Sequence, residues 1–297
     1  MERRPHLVST FSIAGYDPEA QEWGIGVQSK FLAVGAVVPW ARAGLGAIAT
    51  QSFANTSFGP DGLGHLAAGL SAQETMEKLL AADPQREHRQ VGIVDAQGRS
   101  ATFTGRDCFP WAGGIAGRNF AAQGNILVSA ETVTALAETF QAAKGSLADR
   151  LVAALAAAQD AGGDRRGRQS AALLVVKDKG GYGGLNDRYV DLRVDDHVEP
   201  IKELRRLLDL YKLYFYKTES ADLMAIGHLL ARELQDILKL AGYYKGEPNG
   251  HYDEATKQAL LAYMGTENLE ERQREDAFID RIVLEYMRSH RARLAGS

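Results

Sequence analysis

The amino-acid sequence predicts an α+β fold over its first two thirds, followed by a small all-α domain. Between residues 7 and 196, strand-like apolar runs form hairpins that alternate with paired helical stretches. This order is typical of layered architectures with antiparallel sheets. From Pro200 onward the apolar residues recur at helical spacing, and the acidic residues before Pro200 suit a helix N-terminus. We therefore expect domains at 1–198 and 199–297.

Composition and charge narrow the class of protein. The 297 residues suffice for about two domains with separate cores. A net charge of −4 gives no general attraction to nucleic acid or to an anionic membrane. The single cysteine, Cys108, excludes an intrachain disulfide, and no apolar run resembles a signal peptide or a membrane span. We expect a cytoplasmic protein that has neither nucleic acid nor a membrane as partner.

Four strands and a broken helix are predicted in the first 82 residues. The turn at 17–20 separates two apolar runs that would form a hairpin. Ser71, with Glu74 three residues later, has the pattern of a capping box, so a second helical piece would begin there after a break near Gly69. The predicted strands are 7–16, 22–30, 34–38 and 43–49, and the helical stretch is 61–82.

The rest of this domain repeats the alternation of hairpins and helices. Ala96-Gln97-Gly98 is a turn between two short apolar runs. An Ala-rich stretch supplies the last helix before two late strands. The predicted strands are 90–95, 100–104, 120–127, 171–177 and 189–194, and the predicted helices are 130–144 and 147–161.

The C-terminal domain is predicted to be mostly helical. Gly242 would stop one helix, and Asp253 would cap the next. The predicted helices are 201–213, 223–240, 254–264 and a charged amphipathic tail at 268–293. Such a tail suits packing on the first domain or self-association, and we expect a homo-oligomer.

A dense polar turn precedes the late apolar strand. The stretch 163–170 carries three arginines and an aspartate directly before the run 171–176. Burying such charges is costly unless they pair or bind a ligand. Asp164, Arg168 and Ser170 are therefore candidate site residues, and the donor fork of Arg168 suits a carboxylate or a carbonyl of a substrate. A structural Asp-Arg ion pair is the alternative.

Several motifs in the first domain resemble a bacterial family of unknown function, DUF1028. The resemblance covers residues 7–200. The motifs are Thr10-Phe11-Ser12-Ile13, Gly26-Val27-Gln28-Ser29-Lys30, Val38-Pro39-Trp40-Ala41-Arg42-Ala43-Gly44, Ala49-Thr50-Gln51 and the turn from Asp164 to Ser170. That family is described as related to the N-terminal nucleophile hydrolases, so the resemblance implies a four-layer α/β/β/α sandwich. The segments 121–125 and 157–176 also look like site-lining segments of the proteasome type.

The resemblance implies a hydrolase of amide or related C–N bonds, acting on a small molecule or a short peptide without a cofactor. Thr10 would be the nucleophile, and its free amine the general base, once residues 1–9 were removed. Asn125 and Gln123 would provide amide donors for the oxyanion. Asp164 would orient the nucleophile or its amine. The alternative is that Thr10 is an ordinary strand residue in a non-catalytic ligand-binding or assembly protein that retains the fold.

The remaining candidates carry weaker signals. Ser29 and Lys30 are neighbours on a strand, so at most one faces the site. Lys30 could activate the nucleophile or be a solvated strand end. Gln51 and Glu87 are further candidate substrate-binding residues, although Glu87 lies in a charged run. No metal-ligand spacing, nucleotide loop or metalloprotease motif is present, so we expect neither metal nor cofactor.

The second domain resembles the small three-helix peptidoglycan-binding-like domain over about residues 222–267. The resemblance rests on the turns Gly242-Tyr243-Tyr244 and Gly250-His251-Tyr252-Asp253 and on apolar residues at helical spacing around them. It implies a peptidoglycan fragment or precursor, or a protein, as partner. The alternative is that these residues form only a core and bind nothing.

Overall fold

The computed structural model describes residues 10–295, with side chains described up to residue 291. The chain divides into two compact units, the first ending at Leu208 and the second beginning at Asp209. The described residues form a mixed α/β structure with antiparallel sheets and eight α-helices. Helices predominate in the C-terminal region.

A six-stranded antiparallel sheet forms the centre of the first unit. Its strands lie in the order β10-β9-β2-β1-β8-β7. The predicted N-terminal hairpin, β1 with β2, is confirmed and occupies the middle of this sheet. The strands are β1 (Thr10–Asp17), β2 (Glu22–Ser29), β7 (Gly113–Gly117), β8 (Phe120–Asn125), β9 (Ser170–Val176) and β10 (Arg188–Val194).

A second antiparallel sheet has four strands in the order β3-β4-β5-β6. It faces the first sheet, and an apolar cluster that includes Trp23, Val27, Ala49 and Val94 fills the space between them. The Trp23 indole N–H also donates to the carbonyl oxygen of Asp95 at 3.2 Å. The strands are β3 (Pro39–Arg42), β4 (Gly46–Ser52), β5 (Arg89–Asp95) and β6 (Ser100–Thr104).

A pair of helices packs on the outer face of each sheet. On the four-stranded sheet, a Cβ on Gly62 would lie 2.5 Å from Ile48, so the bare glycine lets the helix approach closely. On the six-stranded sheet, Phe140 presses on Gly15 in the same way, with 2.7 Å to a Cβ built there. The helices are α1 (Phe58–Ala67), α2 (Ala72–Ala82), α3 (Glu131–Ala142) and α4 (Leu147–Asp160).

Most predicted elements of the first unit are confirmed, and one is wrong. The capping box of Ser71 and Glu74 is present at the start of α2. The predicted strand at 34–38 is instead a 3-10 turn, Val34–Ala36. Ala33 adopts a left-handed conformation there, and the Val34 N–H donates to the Ser170 hydroxyl, so this segment does not join a sheet ladder. The short strands β3 and β7 were not predicted.

The second unit is built around α6 (His228–Leu240), α7 (Glu254–Thr266) and α8 (Arg281–Ala295), and α5 (Pro200–Phe215) begins before it. A small hairpin joins β11 (Leu223–Ala225) to β12 (Phe278–Asp280). Asp253 caps α7 as predicted, accepting a hydrogen bond from the Thr256 N–H at 2.9 Å. The prediction of one continuous helix over 268–293 is wrong, because β12 and a 3-10 turn precede α8.

Across the described part of the chain, no helix combines the length and the apolar character that crossing a membrane requires.

Candidate functional site

Four of the predicted site residues form one row across the six-stranded sheet. The register pairs Thr10 with Asn125 on β8 and with Ser29 on β2, and it pairs Ser29 with Ser170 on β9. Directly paired residues of an antiparallel sheet point to the same face. All four are fully buried, and the Thr10 hydroxyl donates to the Ser29 Oγ at 3.2 Å. We call these four residues the Thr10 row.

A second group of polar side chains lies between the two sheets beside this row. The Gln51 Nε2 lies 3.3 Å from the Thr10 carbonyl oxygen, and its Oε1 accepts from the Ser12 hydroxyl at 2.6 Å. The Gln123 Nε2 donates to the Ser12 Oγ at 2.7 Å. The structure therefore brings Gln51 and Gln123 to the Thr10 row, one from each sheet.

Gln90 connects this group, and sequence reasoning missed it. Its Oε1 accepts from the Gln51 Nε2 at 2.8 Å and from the Asn125 Nδ2 at 2.9 Å. Its Nε2 donates to the carbonyl oxygen of Gly124 at 2.7 Å and to the Thr104 hydroxyl at 2.9 Å. Gln90 is fully buried. In the sequence, Gln90 is a single amide side chain at the start of an apolar strand. Local patterns do not distinguish such a residue from one that belongs to a turn.

Asp164 lies at the edge of the row and holds backbone in place. Its buried carboxylate accepts from the Lys30 N–H at 3.0 Å and from the Arg166 N–H at 2.9 Å, and it forms an ion pair with the Arg166 guanidinium at 3.1 Å. The backbone N–H of Arg165, the residue after Asp164, donates to the carbonyl oxygen of Ile126 at 2.9 Å. The polar turn is thus fastened both to the end of β2 and to the end of β8.

The polar turn also fixes the start of β9. The Ser170 hydroxyl accepts from the Val34 N–H at 3.1 Å and donates to the carbonyl oxygen of Phe31. The exposed Lys30 ammonium lies 3.3 Å from the carbonyl oxygen of Arg168, outside the row. Of the neighbours Ser29 and Lys30, the structure therefore places only Ser29 in the row.

Arg168 and Glu87 make their contacts away from the row. The Arg168 guanidinium forms an ion pair with Glu199, and both line a cavity of about 150 Å³ between α4 and the start of α5. Glu87 precedes β5, where its carboxylate accepts from the Arg106 N–H at 3.2 Å. In the described residues, the partners of Arg168 and Glu87 are therefore protein groups outside the Thr10 row.

Two of the described non-glycine residues with a positive φ lie beside the site. Ser52, which follows Gln51, has a φ of 69°, and Ile126, which follows Asn125, has a φ of 52°. Such a conformation is uncommon for residues other than glycine and especially unfavourable for the β-branched Ile126, and strain of this kind recurs at functional sites. The Ile126 N–H, bonded to the carbonyl oxygen of Phe109 at 3.0 Å, helps to hold the strained turn.

The single cysteine lies near the site but lacks the features of a nucleophile. Cys108 is 8% exposed, and its Sγ lies 3.4 Å from the carbonyl oxygen of Arg89. Burial raises the pKa of its thiol, which favours the unreactive protonated form. Within residues 10–291, no group of three or more His, Cys, Asp or Glu side chains is arranged to hold a metal ion.

Replacing Gly92 with alanine should displace the Gln123 carboxamide. A Cβ at this position would lie 2.0 Å from the Gln123 Oε1, so the side chain must move and its hydrogen bond to Ser12 would be lost. We expect a loss of about 1–3 kcal/mol in the free energy of unfolding, measured by urea denaturation. Gly64→Ala is the matched control, because its Cβ would meet no atom within 4 Å. Equal stability of the two variants would contradict the prediction.

Replacing Asp83 with asparagine should destabilise the protein at neutral pH and much less in acid. Burial favours the neutral form of this carboxyl, but hydrogen bonds from Arg89 and Asn55 outweigh burial and lower its pKa. A lowered pKa in the folded state gives stability that is present above the ordinary Asp value of about 4 and is lost as the pH falls through the folded value. Urea denaturation of both proteins at pH 7 and near pH 3 measures the difference. A cost that stays constant with pH would contradict the prediction.

Comparisons with known proteins agree with this architecture. Residues 10–204 match the model of a "Family of unknown function (DUF1028)", and residues 214–287 match that of a "Putative peptidoglycan binding domain". The crystal structure of a DUF1028 protein from Silicibacter pomeroyi is 31% identical in sequence, with a TM-score of 0.64. The similarity covers 70% of this chain and 91% of that chain. No curated protein is significantly similar to the chain. Both resemblances inferred from the motifs are confirmed, and the chain belongs to the DUF1028 family.

Proposed function

We propose that the first unit is a hydrolase of the N-terminal nucleophile type, which cleaves an amide or a related C–N bond in a small molecule or short peptide. The observation that carries the proposal is the Thr10 row, which sets a hydroxyl nucleophile at the start of a central strand between an amide and two further hydroxyls. The two facing sheets, each with a helix pair outside, support assignment to the four-layer sandwich of that class.

The chemistry would proceed through an ester on Thr10. The free α-amine, whose ordinary pKa is about 7.7–8.0, would take the hydroxyl proton as the oxygen attacks the carbonyl carbon. The C–N bond would break as the leaving nitrogen received that proton, and water would then release the acid. The amine exists only after residues 1–9 are removed, and that predicted cleavage lies outside the described residues. Ser29, bonded to the Thr10 Oγ1, would hold the nucleophile in place.

The proposal is tested with two forms of the protein, the full-length chain and a chain that begins at Thr10. Each is treated with an electrophile that acylates N-terminal threonine, such as a β-lactone, and the adduct is located by peptide mass mapping. We expect one adduct, on Thr10, in the shortened chain alone. No adduct in either form, or an adduct elsewhere, would overturn the proposal and favour a binding protein that retains the fold.

A second function is favoured for the C-terminal domain by its match to the peptidoglycan-binding model. We propose that this domain binds a peptidoglycan fragment, which in a cytoplasmic protein would be a soluble precursor. Titrating a synthetic muramyl peptide should shift amide resonances of residues 214–287, whereas chitin oligomers, which lack the peptide, should shift fewer. No shift at millimolar ligand would overturn this proposal. Self-association stays a prediction that light scattering can check.

A further inference from the structure

The hydrogen bonds among the buried amide side chains between the sheets fix the orientation of the Asn125 carboxamide. The Gln90 Nε2 lies 2.7 Å from the Gly124 carbonyl oxygen and 3.2 Å from the Gly113 carbonyl oxygen. Carbonyl oxygens only accept, so the atom that faces them must be the nitrogen. The other atom of the Gln90 carboxamide is therefore the oxygen.

The orientation of Gln90 sets those of its neighbours. Its oxygen can bind only donors, so the atoms that approach it at 2.8 and 2.9 Å must be the nitrogens of Gln51 and Asn125. Gln51 agrees independently, because its nitrogen also lies 3.3 Å from the Thr10 carbonyl oxygen and its oxygen accepts from the Ser12 hydroxyl. The chain of amides thus has one self-consistent arrangement.

This arrangement points the Asn125 carboxamide oxygen away from Gln90. Asn125 pairs directly with Thr10 across β1 and β8, and both side chains are on the face between the sheets. We infer that Gln90 is a positioning residue, which turns Asn125 so that its oxygen accepts a hydrogen bond from the α-amine of a chain beginning at Thr10. The inference rests on the proposed function. It replaces the predicted role of Asn125 as an oxyanion donor with that of an acceptor for the base.

The two roles differ in their effect on the amine. An acceptor stabilises the ammonium form and so raises the pKa of the amine, whereas an oxyanion donor acts only when negative charge develops on the substrate. A hydrogen bond to a charged group of ordinary strength corresponds to a pKa shift of about one unit. The titration of the amine therefore distinguishes the roles without any substrate.

The experiment titrates the Thr10 amine by NMR of ¹³C-labelled threonine in the chain that begins at Thr10. The family match starts at residue 10, so we expect this chain to retain the described fold. The Thr10 signal is assigned by its loss in Thr10→Ser. Asn125→Leu should lower the pKa of the amine by about one unit. Gln90→Met should lower it by about half a unit, because the Asn125 amide is then free to turn.

Control variants distinguish a specific effect on the pKa of the amine from a general effect of substitution or unfolding. Gln141→Met makes the same chemical change on the exposed face of α3 and should leave the pKa unchanged. If Asn125→Leu does not fold, as judged by its thermal melt, Asn125→Ala takes its place. An unchanged pKa in the Asn125 and Gln90 variants would overturn the inference, even if Thr10 reacts with the lactone. A shifted pKa with an unreactive Thr10 would support the inference and refute the hydrolase.

Discussion

Replacing Arg272 with methionine should cost about 3–5 kcal/mol of stability in the second unit. The Arg272 side chain is 2% exposed and forms an ion pair with the fully buried Asp280. Its guanidinium also donates to the carbonyl oxygens of Lys212 and Leu213, each at 2.6 Å. Methionine fills a similar volume but leaves a buried carboxylate and two carbonyl oxygens without this donor, and that desolvation is the source of the cost.

Two probes can assign this loss to the second unit. The three tryptophans of the chain, Trp23, Trp40 and Trp111, all precede Leu208, so their fluorescence follows the first unit. Far-UV circular dichroism reports the helices, which predominate in the second. The control is Arg274→Met, because Arg274 pairs with Asp276 at the surface and such pairs contribute about 1 kcal/mol or less. Equal urea midpoints for the two variants would contradict the prediction.

Local signals in the sequence predicted the elements that depend on local chemistry. The capping box joins Ser71 to Glu74, the cap joins Asp253 to Thr256, and the break before the box rests on Gly69. The structure contains all three features. Strand β3 was not predicted because it begins with Pro39. Strand β7 was not predicted because Gly-Gly-Ile-Ala-Gly lacks the β-branched pattern of a strand. Both lie at sheet edges, where the neighbouring strand supplies the order that the sequence does not.

The tail shows how a distant contact overrides a local pattern. The stretch 268–293 has the charge and the apolar spacing of one amphipathic helix. The structure places a strand there because β12 pairs with β11, about 55 residues earlier in the chain, and because Arg272 and Asp280 meet in the interior. Neither requirement can be read from the periodicity of the tail itself.

Some residues of the candidate site were likewise predicted from local motifs, and others were not. The motifs directed attention to Thr10, Ser29, Asn125 and Ser170, and the register of four strands sets them in one row. Residues whose importance lies in hydrogen bonds to distant parts of the chain carried a weaker signal. Ser12 and Gln90 look like isolated polar residues in apolar strands, and their partners lie far away in the sequence, on other strands of the two sheets.

Arg168 illustrates the converse, a residue with a strong local signal and a distant partner. Its place in a dense polar turn favoured a role in holding substrate. The structure pairs its guanidinium with Glu199, 31 positions later in the chain. A charge cluster in a sequence therefore indicates that partners exist, but it does not say whether they are ligand or protein.

Replacing Thr10 with valine should slow the rate of lactone labelling of the chain that begins at residue 10 by about 10³-fold or more. Valine keeps the branched shape that the buried start of β1 accommodates and removes only the hydroxyl, which is bonded to the Ser29 Oγ at 3.2 Å. Thr10→Ser keeps the nucleophile and should remain within about 100-fold of the parent, since only the packing of one methyl group is lost.

A third variant separates the nucleophile from its partner. Ser29→Ala removes the hydroxyl that holds the Thr10 Oγ1 but leaves Thr10 intact, so labelling should slow by about 10-fold and stay on Thr10. Peptide mapping decides among the outcomes. If Thr10→Val is still labelled, at the amine or at Ser29, the hydroxyl of Thr10 is not the nucleophile. If Ser29→Ala and Thr10→Val lose labelling equally, the row acts as one unit and Ser29 has a direct part in the reaction.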